Sequence, residues 1–247
     1  MLYIVSAILV AGFSGLLSMA GLGAAFIFVP LFYYLGVPLP EAASTALLLN
    51  VVSLSVATVT YWRRRLVDVR LGLPVLVTAV LLAPVGAGVT THVDQRLLLA
   101  LFVGFLVFAG AIMLFYRPRP RLSTASQATV VGVGGAIGAV AGFLGGLLGV
   151  GGGNIVLPGL TLLGLDTKLA AGTTGLVVVF SSFSGFLGHA AVGHLDPLFL
   201  AIMTAAAAVG SLAGSRLMTT RLTSRQLKVI IGVLVWVIAA KMALDLI

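Results

Sequence analysis

Gly145-Gly146-Leu147-Leu148-Gly149-Val150-Gly151-Gly152-Gly153-Asn154 sits in the middle of an apolar run that extends from 127 to 164. One membrane crossing by a helix takes about 20 apolar residues, so the run is too long for a single span. Glycines at this density bring no side chains to pack and disfavour continuous helix, by about 1 kcal/mol each relative to alanine. The stretch therefore predicts two shorter helices joined by an irregular turn inside or near the membrane. A second run, 2 to 35, is also too long for one crossing and is broken in its middle by Gly21-Leu22-Gly23. It predicts the same arrangement.

The rest of the chain places these breaks in a bilayer. Of its 247 residues 60% are hydrophobic and 8% charged, with a mean hydropathy of +1.23; so little polar surface cannot cover a water-soluble domain. Soluble catalytic and nucleic-acid-binding domains are thereby excluded. The formal charge of +8 reads as topology, because basic residues flank spans on the cytoplasmic side, and it calls for no nucleic acid partner. With no cysteine there is no disulfide framework, no thiolate nucleophile and no Cys-based metal site. No metal and no cofactor are expected. Met1-Leu2-Tyr3-Ile4 lacks the positive opening of a signal peptide and reads as the start of a span in mature protein.

Further apolar runs of near single-span length fall at 41–62, 71–91, 97–116, 169–188, 197–215 and 226–244. The chain also repeats itself. Ala11-Gly12-Phe13-Ser14-Gly15 answers Ala141-Gly142-Phe143-Leu144-Gly145 at an offset of 130, and after a two-residue slip the offset settles at 128. Gly36/Gly164, Thr45/Thr173, Ser53/Ser181, Asp68/Asp196, Gly86/Gly214 and Gly104/Gly232 then coincide. The expected fold is an all-α polytopic membrane protein of two homologous halves, each a glycine-broken helical hairpin plus three transmembrane helices. The first transmembrane repeat covers 1–116 and the second 127–247. A basic linker, 117–126, carries Arg117-Pro118-Arg119-Pro120-Arg121.

Charge decides how the halves point. If every run crosses once, the basic residues divide almost evenly between the two sides. If each glycine-broken run enters and leaves on one face, each half has an odd number of net crossings. Arg63, Arg64, Arg65, Arg70, Arg117, Arg119, Arg121, Lys168, Arg216, Arg221, Arg225 and Lys228 then share one side, with only Arg96 and Lys241 opposite. The positive-inside rule favours this second version. It makes the halves inverted repeats with both termini outside, an arrangement in which transporters place their site between the repeats.

Charged groups inside the membrane often mark a transporter's site, yet Glu41, Asp68, Asp94, Asp166, Asp196 and Asp245 all fall at segment ends or near the C-terminus. The glycine turns are the remaining candidates. A helix that starts just after Gly23, or after Gly153 at Asn154, aims free N–H groups and a positive dipole end inward, which binds an anion without a charged side chain. Bare glycines at Gly21, Gly23, Gly151, Gly152 and Gly153 let a ligand approach that backbone. Beside them come the carboxamide of Asn154 and the hydroxyls of Thr45, Thr173 and Thr174, with Asn50, Ser53, Ser181 and Ser182 further along the same helices. Ser and Thr in membrane helices usually bond their own backbone, which is the plainer reading of each hydroxyl. His189 and His194 could carry a coupling proton near neutral pH, or simply sit in interfacial water. Tyr61-Trp62 before Arg63 reads as an aromatic belt.

The stretch from Gly142 to Pro158, GFLGGLLGVGGGNIVLP, resembles the hallmark of the TauE/SafE sulfite exporter family, also called TSUP. The degenerate copy from Gly12 to Pro30, the Gly172-Thr173-Thr174 step and His189 with Gly193-His194-Leu195-Asp196 are similar to further family features. The resemblance implies a bacterial or archaeal inner-membrane transporter of small sulfur-containing anions, such as sulfite or an organosulfonate like sulfoacetate. The first copy departs from the pattern, with Ala24-Ala25-Phe26 where the second has Gly152-Gly153-Asn154. The leading expectation is alternating-access transport with the second turn as the main anion contact and protons as a possible coupling ion; the chain is not expected to be an enzyme. A passive anion channel is one alternative. Another is an intramembrane serine protease, in which Gly12-Phe13-Ser14-Gly15 supplies the nucleophile Ser14 and His189 the base.

Overall fold

A computed structural model of the chain describes residues 2–34, 37, 39–89, 127–189 and 197–244, with scattered positions between 97 and 115. Its helices are α1 (Leu2–Met19), α2 (Ala25–Tyr34), α3 (Leu39–Arg63), α4 (Val69–Val89), α5 (Gln127–Leu147), α6 (Gly153–Leu162), α7 (Thr167–His189), α8 (Pro197–Thr220) and α9 (Ser224–Leu244). The described positions between 97 and 115 are helical as well, and among the described residues there is no strand. Stretches within α3, α4, α5, α7 and α8 are long and apolar enough to cross a membrane. Outward-facing side chains such as Ile8, Leu81 and Val209, each about two-thirds exposed and among many exposed large apolar residues, fit a lipid surround. The chain is an all-helical, multi-pass membrane protein.

Both long runs are broken where the glycines fall. Gly21 and Gly149 have φ of 65° and 67°, the left-handed region that ends a helix cheaply only at glycine. The Leu22 N–H then donates to Leu17 O (3.2 Å) and the Val150 N–H to Gly145 O (2.9 Å), closing the last turn of each helix in the same way. Gly23 and Gly151 follow, at φ of 72° and 76°. α2 and α6 begin two residues later, and each has 10 residues, about 15 Å or half a bilayer. In the second run the short helix folds back. A Cβ on Gly152 would strike the backbone of Ala141, and one on Gly159 would touch Ile137, so α6 runs antiparallel to α5.

One expectation is corrected here. No two-residue slip separates the halves, because Gly21/Gly149, Leu22/Val150, Gly23/Gly151 and the starts of α2 and α6 all stand 128 apart. Packing repeats the same interval. Gly86 lies against the Phe143 carbonyl and Gly214 against that of Gly15. The match of Ala11–Gly15 with Ala141–Gly145 at 130 comes from the small-residue composition of two seams that both need close backbone approach.

Among the described residues those seams form the two largest interhelical interfaces, α4 with α5 and α1 with α8. Gly138, Gly142 and Gly146 meet Val75, Ala79 and Ala83 in register, so α4 and α5 run parallel; Gly210 and Gly214 meet Ala11 and Gly15, so α1 and α8 do too. At the centre α3 and α7 cross in opposite directions. Their contacts pair Leu47 with Gly185, Asn50 with Ser182, Thr58 with Gly175 and Tyr61 with Gly172. Ser211 Oγ donates to Ser53 O, tying α8 to α3, and Ser184 Oγ donates to Val80 O (2.8 Å), tying α7 to α4.

Candidate functional site

The two glycine turns meet. Gly23 packs against the carboxamide of Asn50 so closely that a Cβ there would overlap it, and Gly151 packs against Ser182 and the same carboxamide. A Cβ on Gly153 would stand 2.5 Å from Leu22 O, which puts the start of α6 directly on the first turn. Asn50 Nδ2 donates to Ser182 Oγ (2.9 Å), and Ser181 Oγ donates to Gly151 O (2.8 Å), fastening the second turn to α7. Asn50 lies about 16 Å along α3 from Leu39 and about 20 Å from Arg63 at 1.5 Å per residue. The junction is therefore at mid-membrane depth.

Its polar groups are only partly used. Asn50 is fully buried and Asn154 is 4% exposed, yet Asn50 Oδ1 and Asn154 Oδ1 have no hydrogen-bond partner among the described residues. A buried polar atom left in that state costs about 1–3 kcal/mol, and more in a lipid-like surround. Gly152 caps α6 with φ 78°, ψ 0° and no side-chain bond. Ile155 N–H, to Gly152 O (3.0 Å), makes the first bond of the helix, so the amides of Gly153 and Asn154 precede it. The positive end of a short helix thus starts beside the Asn50 carboxamide, which packs on Gly151, and carries the buried Asn154 carboxamide in its first turn. Among the described residues no charged side chain is buried, so the site's field comes from dipoles. A half-turn of the Asn50 amide keeps the Ser182 bond, with Ser182 now donating, and turns the free atom from acceptor into donor.

The hydroxyls named from the sequence divide. Ser181 belongs to the junction, and Ser53 Oγ only donates to Asn50 O (3.2 Å) on its own helix. Thr45 is buried about 7.5 Å below Asn50 on α3. Thr173 does not belong: its Oγ1 donates to Leu169 O (2.8 Å) and accepts from the N–H of Asp68 (2.9 Å), whose Oδ1 caps α4 by accepting the Leu71 N–H (3.0 Å) at the arginine-bearing end of the bundle. Thr174, next to it, is fully buried with no partner. Gly21 faces the backbone of Ala171 and Gly175 rather than Asn50. His189 ends α7; its side chain and His194 lie outside the described residues. Ser14 is buried inside unbroken α1.

Sequence reasoning missed more of the polar interior. Ser18, Ser44 and Thr58 are buried and have no partner among the described residues, although hydroxyls of this kind usually bond their own helix, as Thr60 and Thr161 do. Tyr61 is not part of an aromatic belt. It is fully buried, with its hydroxyl donating to Ser18 O, while Trp62 is 55% exposed. Neighbouring residues on a helix point about 100° apart, so only one of the pair can face the membrane interface.

Comparison with known proteins gives a family. The sequence model of the family described as "Sulfite exporter TauE/SafE" matches residues 4–242. The chain is 28% identical over 233 residues to "Probable membrane transporter protein YunE" of Bacillus subtilis (strain 168), covering 84% of each chain. It is 27% identical over 206 residues to "Probable membrane transporter protein YdhB" of the same organism, covering 78% of this chain and 81% of that protein.

Proposed function

The chain belongs to the sulfite exporter TauE/SafE family, and from that premise we propose that it is a secondary transporter of a small, singly charged sulfur anion, bisulfite or an organosulfonate with no second ionised group, which ranks the doubly charged sulfoacetate below them. The observation that carries the reading is the start of α6, which no side chain caps, together with the Asn50 and Asn154 oxygens that have no partner among the described residues. Amides and carboxamides in a site without cations can stabilise one negative charge. The cost of burying charge rises with its square, so a dianion such as sulfate is disfavoured.

The halves are inverted in this account. The opposite directions of α3 and α7, whose residues correspond at 128, support it. So does the gathering of Arg63, Arg64 and Arg216 around one cleft, which the positive-inside rule assigns to the cytoplasm of a bacterial or archaeal inner membrane. Alternating access then consists of rocking one half against the other about the junction of the two turns. Gly151, Gly152, Gly153 and Asn154 contact the anion, Gly23, Asn50 and Ser181 complete the site from the other half and from α7, and protons are the coupling ion. The test is flux in proteoliposomes. An imposed pH gradient drives uphill accumulation of sulfite or a C2 sulfonate, and Gly152→Ala and Asn154→Ala abolish it while the protein still inserts. Downhill flux alone would make the protein a channel, and undiminished flux in both variants would remove the site.

A further inference from the structure

A cleft of about 390 Å³ opens between α3 and α8, lined by Arg63, Arg64 and Arg216 above Val56, Val59 and Leu212. We propose that it holds the phosphate headgroup of an anionic membrane lipid, with an acyl chain lying along the valine and leucine wall. All three arginines are exposed, none makes an ion pair with a described residue, and no described carboxylate lines the cleft. Three guanidinium groups in one concavity repel one another until an anion joins them, and their planar forks match phosphate oxygens. The two hydroxyls present do not compete for it, because Thr60 Oγ1 donates to Val56 O (3.3 Å) and Thr219 Oγ1 to Arg216 O (3.0 Å).

The apolar wall selects a lipid over a free anion. Val59 is 53% exposed and Trp62, one turn from Val59 on the same helix, is 55% exposed. An exposed tryptophan beside the last turn of a span marks the headgroup level, so the cleft has its charge at that level and its carbon below it. A soluble oxyanion gains nothing from the carbon; a phospholipid covers it. Anionic lipid in the leaflet at this end of the bundle adds about 1 kcal/mol per nearby cation, which is about fivefold in affinity.

The test uses purified full-length protein in detergent with phosphatidylglycerol, phosphatidylcholine or inorganic phosphate added. Native mass spectrometry is expected to retain phosphatidylglycerol in preference to phosphatidylcholine, and thermal unfolding to shift upward with phosphatidylglycerol alone. Each of Arg63→Gln, Arg64→Gln and Arg216→Gln should weaken retention about fivefold, whereas Arg225→Gln, outside the cleft, leaves it unchanged. Equal retention of both lipids, an equal shift with inorganic phosphate, or undiminished retention in all three cleft variants overturns the proposal. A reading independent of those variants is quenching of Trp62 in a Trp236→Phe background. Brominated phosphatidylglycerol should quench it more than brominated phosphatidylcholine at the same mole fraction, and equal quenching counts against the site.

Discussion

Replacing Gly153 by alanine tests whether the two hairpin tips rest on each other backbone to backbone. The added Cβ stands 2.5 Å from Leu22 O and 2.8 Å from Leu22 Cα, where ordinary contact begins near 3.4 Å, so the tips have to part by roughly 0.9 Å. Gly153 is not among the positive-φ glycines, and its substitution brings no backbone strain. Helix propensity alone would favour alanine by up to about 1 kcal/mol. Overpacking a close contact costs about 1–3 kcal/mol, and the obstacle here is main chain, which cannot swing aside like a side chain. The expected net effect is a loss of about 1–2 kcal/mol, or roughly 2–8 °C in Tm. The control is Gly132→Ala, where the new methyl meets nothing within 4 Å and stability is unchanged or raised. Both variants are measured by thermal unfolding in detergent and by sulfite flux in proteoliposomes. Equal stability and equal flux for the two would refute the contact between the turns.

Other substitutions follow from the same geometry. Gly86→Ala and Gly214→Ala, at equivalent places in the two seams where the Cβ would overlap a backbone carbonyl, should each lower stability by about 2 kcal/mol or more, read as Tm. Asn50→Val, which puts at α3 the residue that α7 carries 128 positions later, removes an unpartnered oxygen but also the Nδ2 donor to Ser182, so flux is lost and stability falls by about 1–3 kcal/mol. Tyr61→Phe removes one of the two bonds that Ser18 O accepts, leaving the one from the Gly21 N–H (3.0 Å), and is expected to cost about 0.5–1.5 kcal/mol in thermal unfolding. Because the chain has no cysteine, single Arg65→Cys, Arg221→Cys and Lys241→Cys variants report topology cleanly. The first two should label from the cytoplasmic side and the third from outside.

Much of the architecture could be read from the chain because membrane spans are set by length and apolarity, and because a run of glycines inside such a span has few conformations open to it. The breaks at Gly21–Gly23 and Gly149–Gly153 fall where composition places them. What the sequence hides is pairing across distance. Gly86, Gly138, Gly142, Gly146, Gly210 and Gly214 look like background in a chain with 31 glycines, yet they let parallel helices approach to backbone contact. That seam chemistry also produced the misleading offset of 130. Thr173 and Ser181 look alike as hydroxyls on one helix, but two helical turns separate them, one at the capped start of α4 and the other on the second glycine turn. Asn50 is named by its polarity alone; its position between both turns depends on the antiparallel crossing of α3 and α7, which no local pattern encodes.

The most direct measurement is equilibrium binding of bisulfite and a C2 sulfonate to purified wild-type protein and to Asn154→Asp, by isothermal titration calorimetry at pH 7. The side chain keeps its size and gains one negative charge at the first turn of α6. If amide dipoles there hold the anion, binding falls at least a hundredfold, the effect of about 3 kcal/mol of like-charge repulsion, with the Tm little changed. An Asn154→Asp protein that binds both anions with wild-type affinity contradicts the account.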